Sequence, residues 1–318
     1  MDSHRFLLFF TLIATLLMTS AFAFARERKS DNKDNAASVP VTVTVTVLGT
    51  NNKPASPIGQ QDIIVHSGNK VLEVTGWEHA QGPQGPLQLA LLIDENIRTT
   101  LIAEQLNDMA NFIQDKAPST EVGVYYAENG SAYVAAPFTT DHQKAAQVLH
   151  LTLGLHAGES PSIYLSLSDL AKHWPMKPGA RREVVVFGSG NDPLNPGIED
   201  PYADASIEDV LKAGLTVHAI PIAGTRYSLS FRGNISAGKL IELSEQTGGE
   251  TIGGDLGAPV SLAPYLNQLD ENLHNQYLLT FLIQPSAKKT GELRNIEVRA
   301  EEREVKVVAP KQVLVPGR

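Results

Sequence analysis

Apolar and polar residues alternate with a period of two in the sequence VPVTVTVTV, at positions 39–47. This spacing predicts a strand with one buried face, and threonine on the other face also favours a strand. Two further apolar runs, at 62–66 and 71–77, are separated by the sequence SGNK, which predicts a hairpin with a short turn. We therefore predict an N-terminal β segment over residues 39–80.

The pattern changes after the turn-forming sequence QGPQGP. A nearly continuous apolar run at 87–93 predicts a strand buried on both faces, and helical spacing predicts a helix over 99–116. Strands and helices then alternate, which predicts a doubly wound, mostly parallel, Rossmann-like α/β sheet over residues 86–275, with helices on both faces. The other predicted elements of this region are strands at 122–126, 132–136, 184–187, 215–222 and from Thr251, and helices at 141–151, 162–173, 206–213, 237–246 and 259–274.

The C-terminal segment, residues 276–318, again has the pattern of strands. Apolar runs at 276–283, 293–300 and 305–308 are interrupted by a polar stretch after the first of them. Strands from the two ends of the chain would pair into one small β appendage beside the α/β sheet.

The first 25 residues have the order of a secretory signal peptide. An arginine precedes an apolar run at 6–18, and small residues follow at Ala21, Ala23 and Ala25. Residues 26–38 (RERKSDNKDNAAS) are polar and charged, which predicts a flexible linker. We expect an exported protein, periplasmic or secreted, with no transmembrane segment after the signal peptide is cleaved.

The amino-acid composition excludes several classes of site and partner. The chain has no cysteine, which excludes thiol catalysis, thiolate metal sites and a lipid anchor on cysteine. Its formal net charge is −9, and no run of consecutive Lys and Arg residues is longer than the pair Arg181-Arg182. Binding to nucleic acid requires a basic surface, so we expect protein partners instead.

Sites in such sheets lie at the carboxyl ends of the strands, where Asp94, Glu95 and Asn96 follow the buried run at 87–93. This stretch resembles the first metal-site motif of the von Willebrand factor type A (VWA) family, D-x-S-x-S. The order of strands and helices resembles that family too, most of all exported bacterial VWFA-related proteins. The resemblance implies a Mg²⁺ site of oxygen ligands. Asp94 matches the acid and Asn96 takes the place of the first serine, whereas Arg98 takes the place of the second and has no lone pair to offer.

The motif's other two loops are also altered. Pro161 stands where the family has a threonine, with Ser160 and Ser162 as the nearest hydroxyls. Ser189 stands where the family has an acid before glycine, with Asp192 further along. We therefore expect weak or no metal dependence and no cofactor, with Asp94 and Asn96 as the remaining metal ligands.

The resulting prediction is a protein-binding module without catalytic residues. Its predicted binding residues are Asp94, Glu95, Asn96, Arg98, Ser160, Ser162, Ser189 and Asp192. One hypothesis is that Arg98 pairs with Asp94 and takes the electrostatic role of the metal. The alternative is that Asp94 merely caps the following helix.

Two other functions stay open. Ser189, in a glycine-flanked turn, could be a hydrolase nucleophile, although Phe187 and Asn191 break the G-x-S-x-G pattern. His218 is predicted to be a core histidine with its hydrogen bonds satisfied, and no H-E-x-x-H motif is present. The chain could also be a scaffold component of an extracytoplasmic assembly. An exposed apolar patch near Asp94 would favour binding there, and one on the appendage would favour assembly.

Overall fold

The computed structural model describes residues 37–50, 55–82, 85–152, 162–192, 200–222, 231–253, 259–302 and 304–318. The chain divides into two units, Met1–Ala37 and Ser38–Arg318, and all described residues except Ala37 belong to the second. The predicted signal peptide, and the predicted linker apart from Ala37 and Ser38, lie outside the described residues.

A five-stranded sheet forms the centre of the α/β region, in the order β7-β6-β5-β8-β9. All its neighbouring strands are parallel except β6 and β7, which are antiparallel. Its middle strand, β5, is buried at every residue, as its continuous apolar run predicted. The doubly wound, mostly parallel sheet is therefore confirmed. The strands are β5 (Leu87–Asp94), β6 (Glu121–Glu128), β7 (Ser131–Thr139), β8 (Arg181–Gly188) and β9 (Thr216–Pro221).

Helices cover both faces of this sheet. They are α1 (Thr99–Ile102), α2 (Leu106–Gln114), α3 (His142–Gln147), α4 (Ile163–Lys172), α5 (Pro201–Ala213), α6 (Phe231–Thr247) and α7 (Ala263–His274). Side chains of α1, α2, α3 and α7 form one apolar core with Leu89 and Leu91 of β5. Those of α4, α5 and α6 form a second core with Ala90 and Leu92. None of the helices in the described ranges is long and apolar enough to cross a membrane.

The appendage combines strands from both ends of the chain, as predicted. Its strands are β1 (Val39–Gly49), β2 (Ile63–Ser67), β3 (Lys70–Leu72), β4 (Val74–His79), β10 (Gln276–Ile283), β11 (Glu292–Asn295), β12 (Glu297–Ala300), β13 (Val305–Val308) and β14 (Gln312–Val315). They form antiparallel sheets in the orders β13-β1-β10-β4, β12-β2-β3 and β11-β14. The alternating valines of β1 enter a third apolar core with Leu279 and Phe281.

Several predicted elements had the wrong bounds. The predicted helix over 99–116 is two helices, because residues 103–105 form a turn and the buried Gln105 donates a hydrogen bond to the carbonyl of Pro259 (2.8 Å). The predicted strand over 293–300 is interrupted at Ile296, where the chain leaves β14 and joins β2. Helix α5 begins five residues before its predicted start, since Asp200 caps it and Pro201 is its first residue.

Candidate functional site

Asp94 is the last residue of β5, at the middle of the sheet. Counted along the central sheet, the strand order is 3-2-1-4-5, so connections leave β5 and β8 in opposite directions. In open α/β sheets the crevice outside the carboxyl ends of such strands is the usual ligand site. The point between β5 and β8, where the connections change direction, is the switch point of the sheet. Asp94, at the end of β5, and Gly188, at the end of β8, both lie there.

The carboxyl group of Asp94 is completely buried. Its Oδ1 accepts a hydrogen bond from the backbone N–H of Asn96 (2.9 Å), whereas its Oδ2 has no hydrogen-bond partner among the described residues. A Cβ at Gly188 would lie 2.9 Å from the Cβ and 3.0 Å from the Oδ2 of Asp94. Glycine at the end of β8 thus makes room for the carboxyl group.

The pKa of Asp94 is raised to about 7, mainly by burial, and the charges of Glu95 and Asp192 contribute to this rise. The hydrogen bonds from Asn96 act in the opposite direction but are outweighed. The carboxyl group of Asp94 therefore changes its charge near neutral pH.

A second buried carboxyl group, that of Asp192, is held by the start of α4. Ser162 caps this helix by accepting a hydrogen bond from the N–H of Leu165 (3.3 Å), and its hydroxyl donates to Oδ2 of Asp192 (2.7 Å). Tyr164 donates from its hydroxyl to the carbonyl of Gly190 (3.1 Å). The structure thus brings Asp94, Asn96, Ser162 and Asp192, four of the predicted site residues, to one end of the sheet.

The loop after Asp94 is anchored by residues that the sequence did not single out. Thr152 donates from its hydroxyl to the carbonyl of Ile97 (2.6 Å), and Thr99 donates to the carbonyl of Thr152 (2.7 Å). Glu95, another predicted site residue, lies 3.3 Å from the imidazole of His150. Thr152 and His150 contact a loop some fifty residues earlier in the chain. No local sequence motif could therefore have identified them.

Arg98 does not neutralise Asp94. Its side chain is exposed, Asp94 is completely buried, and no ion pair joins them in the described part of the chain. The hypothesis of an Arg98–Asp94 pair is therefore wrong, since a guanidinium would lose its hydration to reach the buried site. The helix-capping alternative for Asp94 is also wrong, because the N-cap of α1 is Arg98 and Asp94 bonds to Asn96 before the helix begins.

Ser189 and Ser160 are the other two predicted site residues. Ser189 is partly buried, and its hydroxyl accepts a hydrogen bond from the N–H of Asn191 (3.2 Å). No histidine or carboxylate among the described residues contacts that hydroxyl. Ser160 lies outside the described residues. His218 is buried and hydrogen-bonded to Glu183 and to the N–H of Glu250, which confirms the prediction of a core histidine.

The donor set around Asp94 fits a small divalent cation. Within the described residues, no three His, Cys, Asp or Glu side chains cluster as a complete protein cage for a metal. Mg²⁺ does not need one, because it binds through one or two carboxylates and keeps several waters. The unpartnered Oδ2 of Asp94, the neighbouring carboxyl of Asp192 and the hydroxyl of Ser162 are oxygen ligands of the required kind.

The chain matches no protein-family model and no curated protein. It is similar to an aerotolerance-related membrane protein from Bacteroides fragilis, with 12% identity and a TM-score of 0.44 over 59% of this chain and 98% of that one. BatB from Bacteroides thetaiotaomicron is 14% identical, with a TM-score of 0.42 over 58% and 96%. The SpRpn10 VWA domain is 16% identical, with a TM-score of 0.39 over 59% and 97%. At these identities the likeness concerns the fold alone.

Proposed function

We propose that this chain is an exported protein-interaction module that binds its partner at the Asp94 face, defined as Asp94, Asn96, Ser162, Asp192 and the loops that carry them. The observation that carries the proposal is the completely buried carboxyl group of Asp94 with an unpartnered Oδ2. A buried polar atom without a partner costs about 1–3 kcal/mol, more if it is charged. An unsatisfied oxygen lowers the stability of the fold. At the switch point of a sheet, it is characteristic of a site that binds a ligand.

The altered motif predicted weak or no metal dependence, but Asp192 and Ser162 lie at the same end of the sheet as Asp94. We therefore further propose that Asp94 and Asp192 hold a divalent cation, with Ser162 and Asn96 beside them. Bound there, Mg²⁺ would supply an open coordination position for an oxygen of the partner, such as a carboxylate. The chain's own residues prepare the site. Ser162 positions Asp192 through a 2.7 Å hydrogen bond, and the backbone of Asn96 positions Asp94.

The surroundings of this face suit a protein partner. Leu151, next to the anchoring Thr152, is 45% exposed, and Tyr202, at the start of α5, is 37% exposed. Both belong to segments at the carboxyl end of the sheet. Exposed aromatic and aliphatic side chains around a polar centre are typical of protein–protein interfaces. Export is inferred from the signal-peptide pattern of residues 1–25.

Cross-linking of the purified chain to the exported protein fraction, in Mg²⁺ and in EDTA, tests this proposal. We expect the wild type to capture the same proteins reproducibly in Mg²⁺, and Asp94→Asn to lose them. Glu128→Gln is the matched control, because Glu128 is an exposed acid at the end of the adjacent strand β6. Recovery of the same proteins by Asp94→Asn as by the wild type would show that the Asp94 face is not the binding surface.

A further inference from the structure

A cavity of about 770 Å³ opens at the other end of the central sheet, between its amino end and the appendage. We call it the amino-end cleft. One wall is the face of the β1–β10 sheet that carries Thr42, Thr44 and Thr280. The opposite wall contains Arg182 near the start of β8 and Met176 in the segment before it. This cleft is separate from the Asp94 face, which lies at the carboxyl ends of the same strands.

The threonine wall follows from the alternation in β1. Its valines enter the core of the appendage, so the intervening threonines lie on the opposite face. Thr42 and Thr280 share a hydrogen bond of 2.8 Å across the strand pair. Leu278 of β10 also lines this wall, and Glu78 is exposed on it. The wall therefore offers hydroxyl groups beside apolar surface.

Arg182 is the distinctive group of the opposite wall. It is partly buried, and its guanidinium donates to the sulfur of Met176 (3.5 Å), but no carboxylate of the described residues forms an ion pair with it. Burial lowers the pKa of Arg182. The lysines that line the cleft are neutralised, Lys172 by Asp209 (2.8 Å) and Lys212 by Glu208 (2.6 Å). Arg182 thus places a guanidinium without a carboxylate partner among the described residues on one wall, whereas Glu78 places an exposed carboxylate on the other. Arg181 also lines the cleft, and its guanidinium is bonded to the carbonyls of Leu273 and Gly85 and to the side chain of Gln276.

We propose that the amino-end cleft binds an organic carboxylate with an apolar body, its carboxylate paired with Arg182. The volume falls within the range of about 300–1,000 Å³ that is usual for small-molecule sites. The planar guanidinium matches the two oxygens of a carboxylate. The exposed carboxylate of Glu78 on the facing wall disfavours a doubly charged phosphate, so a singly charged group suits this cleft better. Met176, 76% exposed at the wall, with Leu278 opposite, provides apolar contact for the rest of the ligand.

Titration calorimetry with decanoate as the probe tests the proposal, with decanol as the uncharged analogue. We expect saturable binding of decanoate to the full chain and binding of decanol that is weaker by roughly ten-fold or more, the effect of losing a charge-assisted contact. Arg182→Gln should weaken decanoate binding to the same extent, and Thr42→Phe, which fills the cleft from the opposite wall, should also weaken it. Arg98→Gln is the matched control, because Arg98 is an exposed arginine at the other end of the sheet.

Each contrary result overturns the proposal. These are the absence of decanoate binding up to millimolar concentrations, equal affinity for decanol, or wild-type affinity in Arg182→Gln. The comparison of decanoate with decanol needs no variant, so it remains decisive if Arg182→Gln fails to fold. Asp94→Asn should leave decanoate binding unchanged, which separates this site from the proposed partner surface.

Discussion

Asp94 has a buried carboxyl group whose pKa is raised from 3.8 to about 7, mainly by burial. Between these two values the folded chain keeps a proton that the unfolded chain has released. Stability must therefore fall as the pH rises through this window, and the loss is complete above about pH 7. The shift corresponds to a decrease in the free energy of unfolding on the order of 4 kcal/mol above about pH 7.

Asp94→Asn is expected to stabilise the protein at about pH 8, by up to about 4 kcal/mol in EDTA, because it removes the ionised form from the buried site. At about pH 4 the wild-type carboxyl is protonated when folded, so the difference should nearly vanish. Urea unfolding of the wild type and of Asp94→Asn measures the difference in their free energies of unfolding at each pH. An equal loss of stability at both would mean that Asp94 is a structural residue.

Strands β8 and β9 are joined inside the core by a polar pair, Glu183 and His218. The Nε2 of His218 lies 3.0 Å from Oε2 of Glu183, and its Nδ1 accepts the N–H of Glu250 (3.3 Å). Both side chains of the pair are almost completely buried. The Nδ1 contact fixes the tautomer in which Nε2 donates to the carboxylate. This pair links the sheet to the segment after α6.

His218→Leu is expected to destabilise the protein by about 3–5 kcal/mol, because it leaves the carboxylate of Glu183 buried without its donor. The double variant Glu183→Leu with His218→Leu should lose less than the single variant, since it removes the unpaired charge as well. Urea unfolding of both variants measures the two free energies. A double variant that loses as much stability as His218→Leu, or more, would contradict a coupled pair.

The predictable elements were those whose burial pattern can be read from consecutive residues, although their strand partners lie far away in the chain. The alternation of β1, the continuous apolar run of β5 and the strand Gln276–Ile283 were all identified from spacing alone. The break between α1 and α2 was not, because Gln105 bonds to a residue about 150 positions away. The β14 strand was missed for a similar reason. Its partner β11 lies earlier in the chain, and two strands that pair elsewhere, β12 and β13, come between them.

In the candidate site, too, the positions of residues could be predicted from the sequence, whereas contacts between distant residues could not. Asp94 and Asn96 could be identified from their position after a buried strand, and Ser162 and Asp192 from their loops. Neither the hydrogen bond from Ser162 to Asp192 nor the exposure of Arg98 could be inferred from the spacing of residues. The spacing of strands predicts which residues lie at the same end of a sheet. Which of these residues contact one another depends on how their side chains pack in the folded protein.

In the molecule as a whole, two features of different chemistry lie at opposite ends of one sheet. The Asp94 face has two buried carboxyl groups, and the amino-end cleft has an arginine without a carboxylate partner in the described residues. Strands from both chain ends, β1 and β10, form a wall of that cleft. The arrangement predicts that ligands of opposite charge bind at the two ends, a cation at one and an anion at the other.

Calorimetric titration with Mg²⁺ tests the central claim, that Asp94 and Asp192 form a cation-binding centre at the Asp94 face. We predict one site per chain, with affinity that rises between roughly pH 6 and pH 8, because Asp94 must lose its proton to bind the ion. Binding should be lost in Asp94→Asn and Asp192→Asn and retained in Glu128→Gln. Absence of binding to the wild type at roughly pH 8, or binding that survives in Asp94→Asn, would contradict the claim.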